Sequence, residues 1–399
     1  MKLKGDQQTA RAINRRLILN LLRRQGAISR AEIASVTGLS PAAVTFVVSE
    51  LLEENILVEG EASLGAPGRR PIPININYAG RLVAGLKLKV GGIDCVLTDL
   101  ATTPLVTKQV VVPDPSPQST VEACASAVEE LVSDRRAPTG AQLSGIGIAV
   151  PGVIDNGVCR LSHRFNWVDV PIAAMLAERV RVPVWADDDT NAFALAQQLF
   201  GLGRHHRTVG ALAIGAGISC AVVIDGSVHH GANGAAGKMG HSTYDPNGPP
   251  CECGRRGCLQ TFFSEPALVR RWKEARRLAG EVTRHDMLNA AKTGDRAAID
   301  LLQEAGEGIG RYLGGFCNII DPEVIVGGGE AVTFGDYLFG PMRDALKRYA
   351  MWNPPPITPD WADDSWARGA AALATQRLFD FESSPGEIAG TGLQQSMVK

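Results

Sequence analysis

One histidine and three cysteines stand close together near the middle of the 399-residue chain. Thiolate sulfur combined with imidazole nitrogen is the ligand set that tetrahedral zinc prefers. Gly254 and Gly257 let the backbone turn sharply between the last two sulfurs. A site with four protein ligands has no open position, so the spacing predicts a structural zinc knuckle and not a catalytic one. The four predicted ligands are His241, Cys251, Cys253 and Cys258.

The composition, with 45% hydrophobic and 21% charged residues, is typical of a globular protein. No apolar run approaches the roughly twenty residues that a membrane span needs. The first residues lack the apolar segment of a secretory signal. The other five cysteines lie in apolar segments, which indicates buried, reduced thiols. Together these features predict a cytoplasmic protein. The five cysteines are Cys95, Cys124, Cys159, Cys220 and Cys317.

Charge is distributed unevenly along the chain, although the net charge is only −2. Residues 1–81 carry eleven Lys or Arg and seven Asp or Glu, whereas the remainder carries twenty-nine and thirty-five. A basic first segment on an acidic body indicates that nucleic acid would be contacted by the first segment alone.

Residues 1–78 have the pattern of a winged helix-turn-helix domain. A capping box over residues 29–32 begins a second helix, a Thr-Gly-Leu turn at 37–39 ends it, and Ser40-Pro41 begins a third. Strand, glycine-rich turn and strand follow as the wing. The apolar face of the first helix is predicted to be Ile13, Leu17, Leu21 and Leu22, and that of the third helix Val44, Val48, Leu51 and Leu52.

The third helix of such a domain enters the major groove of double-stranded DNA by its N-terminal end. Small outward residues there allow the backbone to approach the bases, and the cap with its helix amides suits a phosphate. Two arginines at the tip of the wing suit a minor groove. A three-helix protein-interaction module is the alternative interpretation. The predicted DNA contacts are Ser40, Ala42, Ala43, Thr45, Arg69 and Arg70.

From residue 79 to about 382, strands end in glycine-rich or acidic segments and are followed by helices. This order predicts an α/β body with ligands at the strand ends, and its repetition indicates two similar lobes around a cleft. Residues 383–399 have little to pack and are predicted to form a disordered tail.

The chain resembles the ROK family, named for repressors, open reading frames and kinases. The segments that carry the resemblance are GRRP, PGVID, DDDTNA, IGAGI, GAAGKMGH, CECGRRGC and VGGG. The likeness extends over nearly the whole chain and is strongest with the winged-helix repressor branch. It implies an actin-like (ribonuclease-H-like) two-lobed fold with a sugar between the lobes near the zinc. The implied function is a sugar-responsive repressor that binds operator DNA as a homodimer or tetramer.

The resemblance also implies which residues contact the sugar, with Asp189 at the position of the kinases' catalytic base. Three positions depart from the family pattern, because Asp188 replaces asparagine and Lys238 and Gln260 each replace glutamate. Lys238 could pair with Asp188, could bind an anionic ligand such as a sugar phosphate or sugar acid, or could mark a pocket without ligand. The implied sugar contacts are Gly152, Asn166, Asp188, Asp189, Lys238, His241 and Gln260.

The two phosphate-binding loops of the family's kinases are altered in this chain. Lys87 stands in place of the acid of the first loop, and bulky residues up to Val90 replace its glycines. The second loop, residues 215–221, lacks the usual threonine and two glycines. We therefore expect sugar binding without turnover, with the linker at residues 72–79 carrying the signal to the head. The alternatives are an active sugar kinase with a DNA-binding head and a ligand-independent DNA-binding dimer.

Overall fold

The computed structural model describes residues 7–61, 71–138, 142–360, 362 and 364–379. Arg69 and Arg70 at the predicted wing tip, and the predicted tail 383–399, lie outside the described residues. Within the described part of the chain, none of the helices has both the length and the apolar character needed to cross a membrane.

Helices and strands are numbered here in chain order. The helices are α1 Gln7–Gln25, α2 Arg30–Thr37, α3 Pro41–Glu53, α4 Pro117–Ser133, α5 Ile172–Val180, α6 Asp189–Phe200, α7 Leu259–Phe263, α8 Glu265–Arg276, α9 Arg284–Lys292, α10 Arg296–Ile320, α11 Asp336–Tyr349 and α12 Ser365–Phe379. The strands are β1 Ile28–Ser29, β2 Leu57–Glu59, β3 Pro73–Ile76, β4 Leu82–Lys89, β5 Gly92–Thr98, β6 Pro104–Val111, β7 Leu143–Val150, β8 Val153–Asp155, β9 Val158–Ser162, β10 Trp167–Val170, β11 Val184–Asp188, β12 Val209–Ile214, β13 Ile218–Ile224, β14 Ser227–Val228, β15 Val324–Gly328 and β16 Ile357–Pro359.

The head consists of α1–α3 and an antiparallel sheet in the order β1-β3-β2. The predicted capping box is present, with Glu32 N donating to Ser29 Oγ and Ser29 N to Glu32 Oε2. Helix α2 ends at Gly38, whose φ of 72° suits glycine. Ser40 caps α3 through a hydrogen bond from Ala43 N of 3.2 Å. The predicted helix-turn-helix is therefore confirmed.

The predicted buried faces of two head helices need correction. In α1, Ile13 and Leu17 are 45% and 41% exposed, and the buried apolar residues are Ile18, Leu19 and Leu22. Ion pairs join Arg11 to Glu50 and Arg15 to Glu54. The side of α1 that faces α3 around residues 11–15 is therefore polar. In α3, Val47 is buried in place of the predicted Leu52, which is only half-buried.

The first lobe is built on a mixed sheet in the order β11-β7-β4-β5-β6. Strands β4, β7 and β11 are parallel, so their carboxyl ends meet at one edge. A small antiparallel sheet, β10-β9-β8, stands beside this edge. Helix α12 packs across β4 and β7, where Gly85 and Gly147 let its backbone approach so closely that a side chain would collide with it.

The second lobe repeats this arrangement with a sheet in the order β14-β13-β12-β15-β16. Helices α7–α11 cover it, and the long helix α10 buries a stripe that includes Leu302, Ile309 and Leu313 in the core of this lobe. Helix α6 follows directly on β11 and packs against α12 on one side and β12 and β13 on the other. The two-lobed prediction is confirmed, and the cleft between the lobes opens at the strand ends.

Candidate functional site

A cavity of about 900 Å³ lies between the lobes at the carboxyl ends of the parallel strands. Six of the seven implied sugar contacts line it. The exception is Asn166, which is exposed because its neighbours Phe165 and Trp167 turn inward and pack their rings together. His163 and Arg164 line the cavity instead. The six lining residues are Gly152, Asp188, Asp189, Lys238, His241 and Gln260.

Asp188 and Lys238 form an ion pair on the cavity wall. The Lys238 ammonium lies 2.5 Å from Asp188 Oδ2 and donates to the Gly152 carbonyl oxygen at 2.8 Å. Burial lowers the pKa of Lys238, but Asp188 and Asp189 outweigh this effect and leave the pKa above its usual value. Asp188 also caps α6 by accepting from Thr190 N at 3.0 Å. The sequence left three interpretations of Lys238 open, and the structure contains the ion pair with Asp188.

Asp189, which the sequence predicts to occupy the position of the kinases' base, is also paired with a lysine. The Lys87 ammonium, at the end of β4, contacts Asp189 Oδ2 and lies 5.6 Å from the centre of the Trp366 ring. Both partners are largely buried, with side chains 13% and 19% exposed. Burial raises the pKa of Asp189, but Lys87 acts in the opposite direction and the net effect is a lowered pKa.

Acidic side chains stand where the second phosphate loop turns. The Glu330 carboxylate lies directly against the backbone of Gly215, and Glu265 N donates to the Gly215 carbonyl oxygen at 2.9 Å. Burial raises the pKa of Glu265, and the neighbouring Glu330 raises it further. Arg164 of the first lobe reaches Glu252 of the second lobe at 3.5 Å.

The predicted metal ligands meet at the edge of the same cavity. One ligand atom from each of His241, Cys251, Cys253 and Cys258 lies within 4.8 Å of the other three. His241 Nδ1 is 3.5 Å from Cys251 Sγ, and the sulfurs of Cys253 and Cys258 are 3.7 Å apart. This cluster could hold a metal ion. The buried Gln260 donates to Cys251 Sγ at 3.5 Å and to Glu252 Oε1 at 3.1 Å.

The N-terminal end of α3 forms an open surface on the head. Ser40, Ala42 and Thr45 are exposed and Ala43 is half-exposed, as the sequence predicts. The Thr45 hydroxyl donates to the Pro41 carbonyl oxygen at 2.8 Å, so its methyl group is left to contact a partner. The other two predicted contacts, Arg69 and Arg70, lie outside the described residues.

Sequence reasoning missed several side chains of the cavity, among them Lys87 as a partner of Asp189, Arg164 as a bridge between lobes, and Glu330. In the sequence, Lys87 stands out only as the replacement of an acid. Its position at the end of a strand parallel to the one before Asp189 is the signal that would have placed the two together.

A winged helix-turn-helix head on a two-lobed α/β body with a ligand cavity defines a kinase-like fold that carries a DNA-binding module. Residues 83–377 match the ROK family model, and residues 11–58 match the model described as winged helix-turn-helix DNA-binding. The chain belongs to the ROK family.

Repressors and sugar kinases are both similar to this chain. The chain is 31% identical over 324 residues to a xylose repressor of Bacillus spizizenii, covering 81% of this chain and 83% of that protein. A glucokinase of Thermotoga maritima is 33% identical over 258 residues, or 60% of this chain and 81% of the glucokinase. The crystal structure of a ROK family transcriptional regulator, described as a homologue of the E. coli MLC protein, superposes with a TM-score of 0.82 at 23% identity, over 93% of this chain and 97% of that one. The similarity to the xylose repressor thus extends over more of this chain, 81%, than the similarity to the glucokinase, 60%.

Proposed function

We propose that the chain is a sugar-responsive transcriptional repressor of carbohydrate-utilisation genes that binds its sugar without phosphorylating it. Residues 1–78 would bind DNA and residues 79–382 would bind the sugar. The observation that carries the absence of turnover is the ion pair between Lys87 and Asp189. Its presence in a chain that also has a winged helix-turn-helix head favours a sensor over an enzyme.

The ion pair acts against catalysis in two ways. A general base must accept the proton of the sugar hydroxyl, and a carboxylate held by an ammonium is a weaker base with one oxygen already occupied. Phosphoryl transfer also needs backbone amides that cradle the nucleotide phosphates. Here Lys87 and Val90 carry side chains in the first loop, and the Glu330 carboxylate beside Gly215 would repel a polyphosphate.

The pairing of Lys238 supports an uncharged sugar as the effector. Its ammonium is already engaged by Asp188 and the Gly152 carbonyl oxygen, so little attraction remains for an anionic ligand. A neutral sugar can instead exchange hydrogen bonds with the paired groups. We propose Gly152, Asp188, Asp189, Lys238, His241 and Gln260 as its contacts, without Asn166.

The metal in the His/Cys₃ cluster is proposed to be a structural zinc ion. Zn–S distances of about 2.3 Å and a Zn–N distance of about 2.0–2.1 Å give a tetrahedron with edges of about 3.5–3.8 Å. The 3.5 Å and 3.7 Å separations of the ligand atoms fit those edges. Zinc would hold the segment from His241 to Gln260 and so fix one edge of the cavity. The cysteines of this chain form no disulfide in the described residues, and this supports a cytoplasmic location.

DNA binding is proposed to use two heads of a homodimer or tetramer on two half-sites about 10 base pairs apart or a multiple of that. The test is a mobility shift with the promoter that adjoins this protein's own gene, repeated with pentoses, hexoses and their phosphates. Retardation that a neutral sugar alters supports the proposal. A coupled assay with ATP and the same sugars is the counter-test, because sustained ADP release would refute sugar binding without turnover.

The wing arginines provide a sharper test of the DNA interface. Replacing Arg69 and Arg70 by alanine should weaken DNA binding and reduce the salt dependence of the affinity, since roughly one counterion is released per phosphate contacted. The control is R296A with K347A, two exposed cations of the second lobe. An equal slope in both double variants would overturn the assignment of the wing.

A further inference from the structure

Helix α6 connects the cavity to the head through one rigid element. Asp188 caps its N-terminus and Asp189 is its first residue, both on the cavity wall. Its other end, at Leu199 and Phe200, lies against the head. Twelve residues at 1.5 Å each give a length of about 18 Å. The ligand cavity and the DNA-binding domain are thus in contact with opposite ends of the same helix.

At the head end, the contact is a buried charge-assisted hydrogen bond. Arg23 of α1 is only 9% exposed, and its Nη1 donates to the Leu199 carbonyl oxygen at 2.6 Å. The last carbonyls of a helix have no partner within the helix, and a cation there is favoured by the helix dipole. Beside it the Tyr78 ring meets the Phe200 ring edge-on, with 6.4 Å between centroids.

At the cavity end, the same helix is held by charges that a sugar would contact. Asp188 accepts from Thr190 N and Asn191 N and also pairs with Lys238. Asp189 pairs with Lys87. A ligand that redistributes these hydrogen bonds changes the forces on the N-terminus of α6, and a helix packed on both sides moves as a unit.

We propose that α6 couples the cavity to the head, and that Arg23 is the positioning residue that receives its movement. This inference rests on the proposed function and deepens it by naming the coupling element. It differs from transmission along the linker at residues 72–79, because the contact of Arg23 with Leu199 bypasses that segment. Arg23 touches neither sugar nor DNA in this scheme. Its role is to hold α1 against the end of α6.

The test is a double-variant cycle read by hydrogen exchange, with the full chain and with neither sugar nor DNA. Lys238→Met and, independently, Lys87→Met perturb the N-terminus of α6. Arg23→Gln removes the charge at its C-terminal end. Arg24→Gln is the matched control, since Arg24 is the next residue of α1 and is exposed. Exchange rates are followed in peptides that cover residues 16–25 and 195–203, with circular dichroism to verify folding.

When Arg23 is present, either in the wild-type background or in the Arg24→Gln control, each cavity variant should change the hydrogen-exchange rate of residues 16–25 by about 2- to 30-fold. With Arg23→Gln, the same cavity variants should leave residues 16–25 unchanged while still altering residues 195–203. If Arg23→Gln does not fold, Arg23→Lys replaces it and should reduce the response. Coupling of equal size with and without Arg23, or no response of residues 16–25 to either cavity variant, would overturn the proposal.

This experiment can fail without affecting the proposed function, and the reverse also holds. Sugar-dependent retardation of promoter DNA by the wild-type chain tests the repressor function. The exchange cycle tests only the mechanical link between α6 and α1.

Discussion

Each of the three consecutive aspartates Asp187–Asp189 has a basic partner from a different part of the chain. Asp187 Oδ2 is 2.7 Å from His230 Nε2, Asp188 pairs with Lys238, and Asp189 pairs with Lys87. The sequence predicted the Lys238–Asp188 pair as one possibility, because two departures from a family pattern with opposite charge suggested compensation. It could not predict the other two pairs, because no pattern in the sequence links their members and only the fold brings them together.

The Lys87–Asp189 pair should contribute to stability at neutral pH. Lys87→Met leaves a largely buried carboxylate without its partner, and we expect a loss of roughly 3 kcal/mol in urea unfolding at pH 7. The folded-state pKa of Asp189 is lowered below its usual 3.8, so this contribution is present above pH 4 and is lost as the pH falls through that lowered pKa. The difference between variant and wild type should therefore shrink in acid.

Lys89→Met is the control for this prediction. Lys89 is two residues further along and pairs with the partly exposed Asp94, so its loss should cost less than about 1 kcal/mol. Equal losses for the two variants would contradict the assigned importance of the buried pair.

Among the elements, the segment from His241 to Gln260, which carries the His/Cys₃ cluster, follows most directly from the sequence. The four clustered residues lie within eighteen positions of one another, so their meeting depends on local turns and not on distant contacts. The helix-turn-helix was equally predictable, because caps and a turn glycine define its boundaries. The buried faces of α1 and α3 were less predictable. Apolar residues lie on two adjacent faces at helical spacing, and ion pairs to a neighbouring helix decide which face is buried.

Gly254 and Gly257, in the segment from His241 to Gln260, should respond differently to replacement by alanine. Gly257 has φ of 67°, and a Cβ there would lie 1.5 Å from the Asp245 carbonyl oxygen. Gly254 has φ of 82° but no atom within 4 Å of that position. Gly254→Ala should cost only the backbone strain of about 1–2 kcal/mol and retain the metal. Gly257→Ala should displace the loop and lose it.

Metal content by elemental analysis and the melting temperature measure this difference. Chelation should lower the melting temperature of the wild type and of Gly254→Ala, and should have little further effect on Gly257→Ala. Full metal content in Gly257→Ala would show that the loop tolerates the collision.

At the scale of the whole molecule, head and body share one apolar cluster. Leu19 and Leu22 of α1, Leu195 and Leu199 of α6, and Ala370 of α12 belong to the same contiguous core. The sequence predicted two units joined by a linker, and composition alone contains no signal for this junction. Its residues are ordinary leucines and alanines, and their partners are distant in the chain.

Alkaline pH should loosen the junction between head and body. Burial raises the pKa of Tyr78 from its usual 10 to about 12. A phenol whose folded-state pKa is raised stabilises the folded form below pH 10 and loses this contribution as the pH rises from about 10 to 12. Scattering measurements of the radius of gyration across this range should show an expansion. In Tyr78→Phe the expansion should be reduced, and an identical pH profile would remove Tyr78 from this role.

The balance of charge in the cavity affects how the affinities for sugar and for DNA depend on salt. Five cationic and five anionic side chains line it, so a neutral sugar neither gains nor loses counterions on entering. Binding to double-stranded DNA releases counterions, so the affinity for DNA falls steeply as the salt concentration rises. Under the proposed function, a rise in ionic strength should therefore weaken binding to DNA while leaving sugar occupancy unchanged. Sugar affinity measured at 50 mM and 200 mM salt, roughly the range over which DNA affinity falls steeply, should be the same at both concentrations.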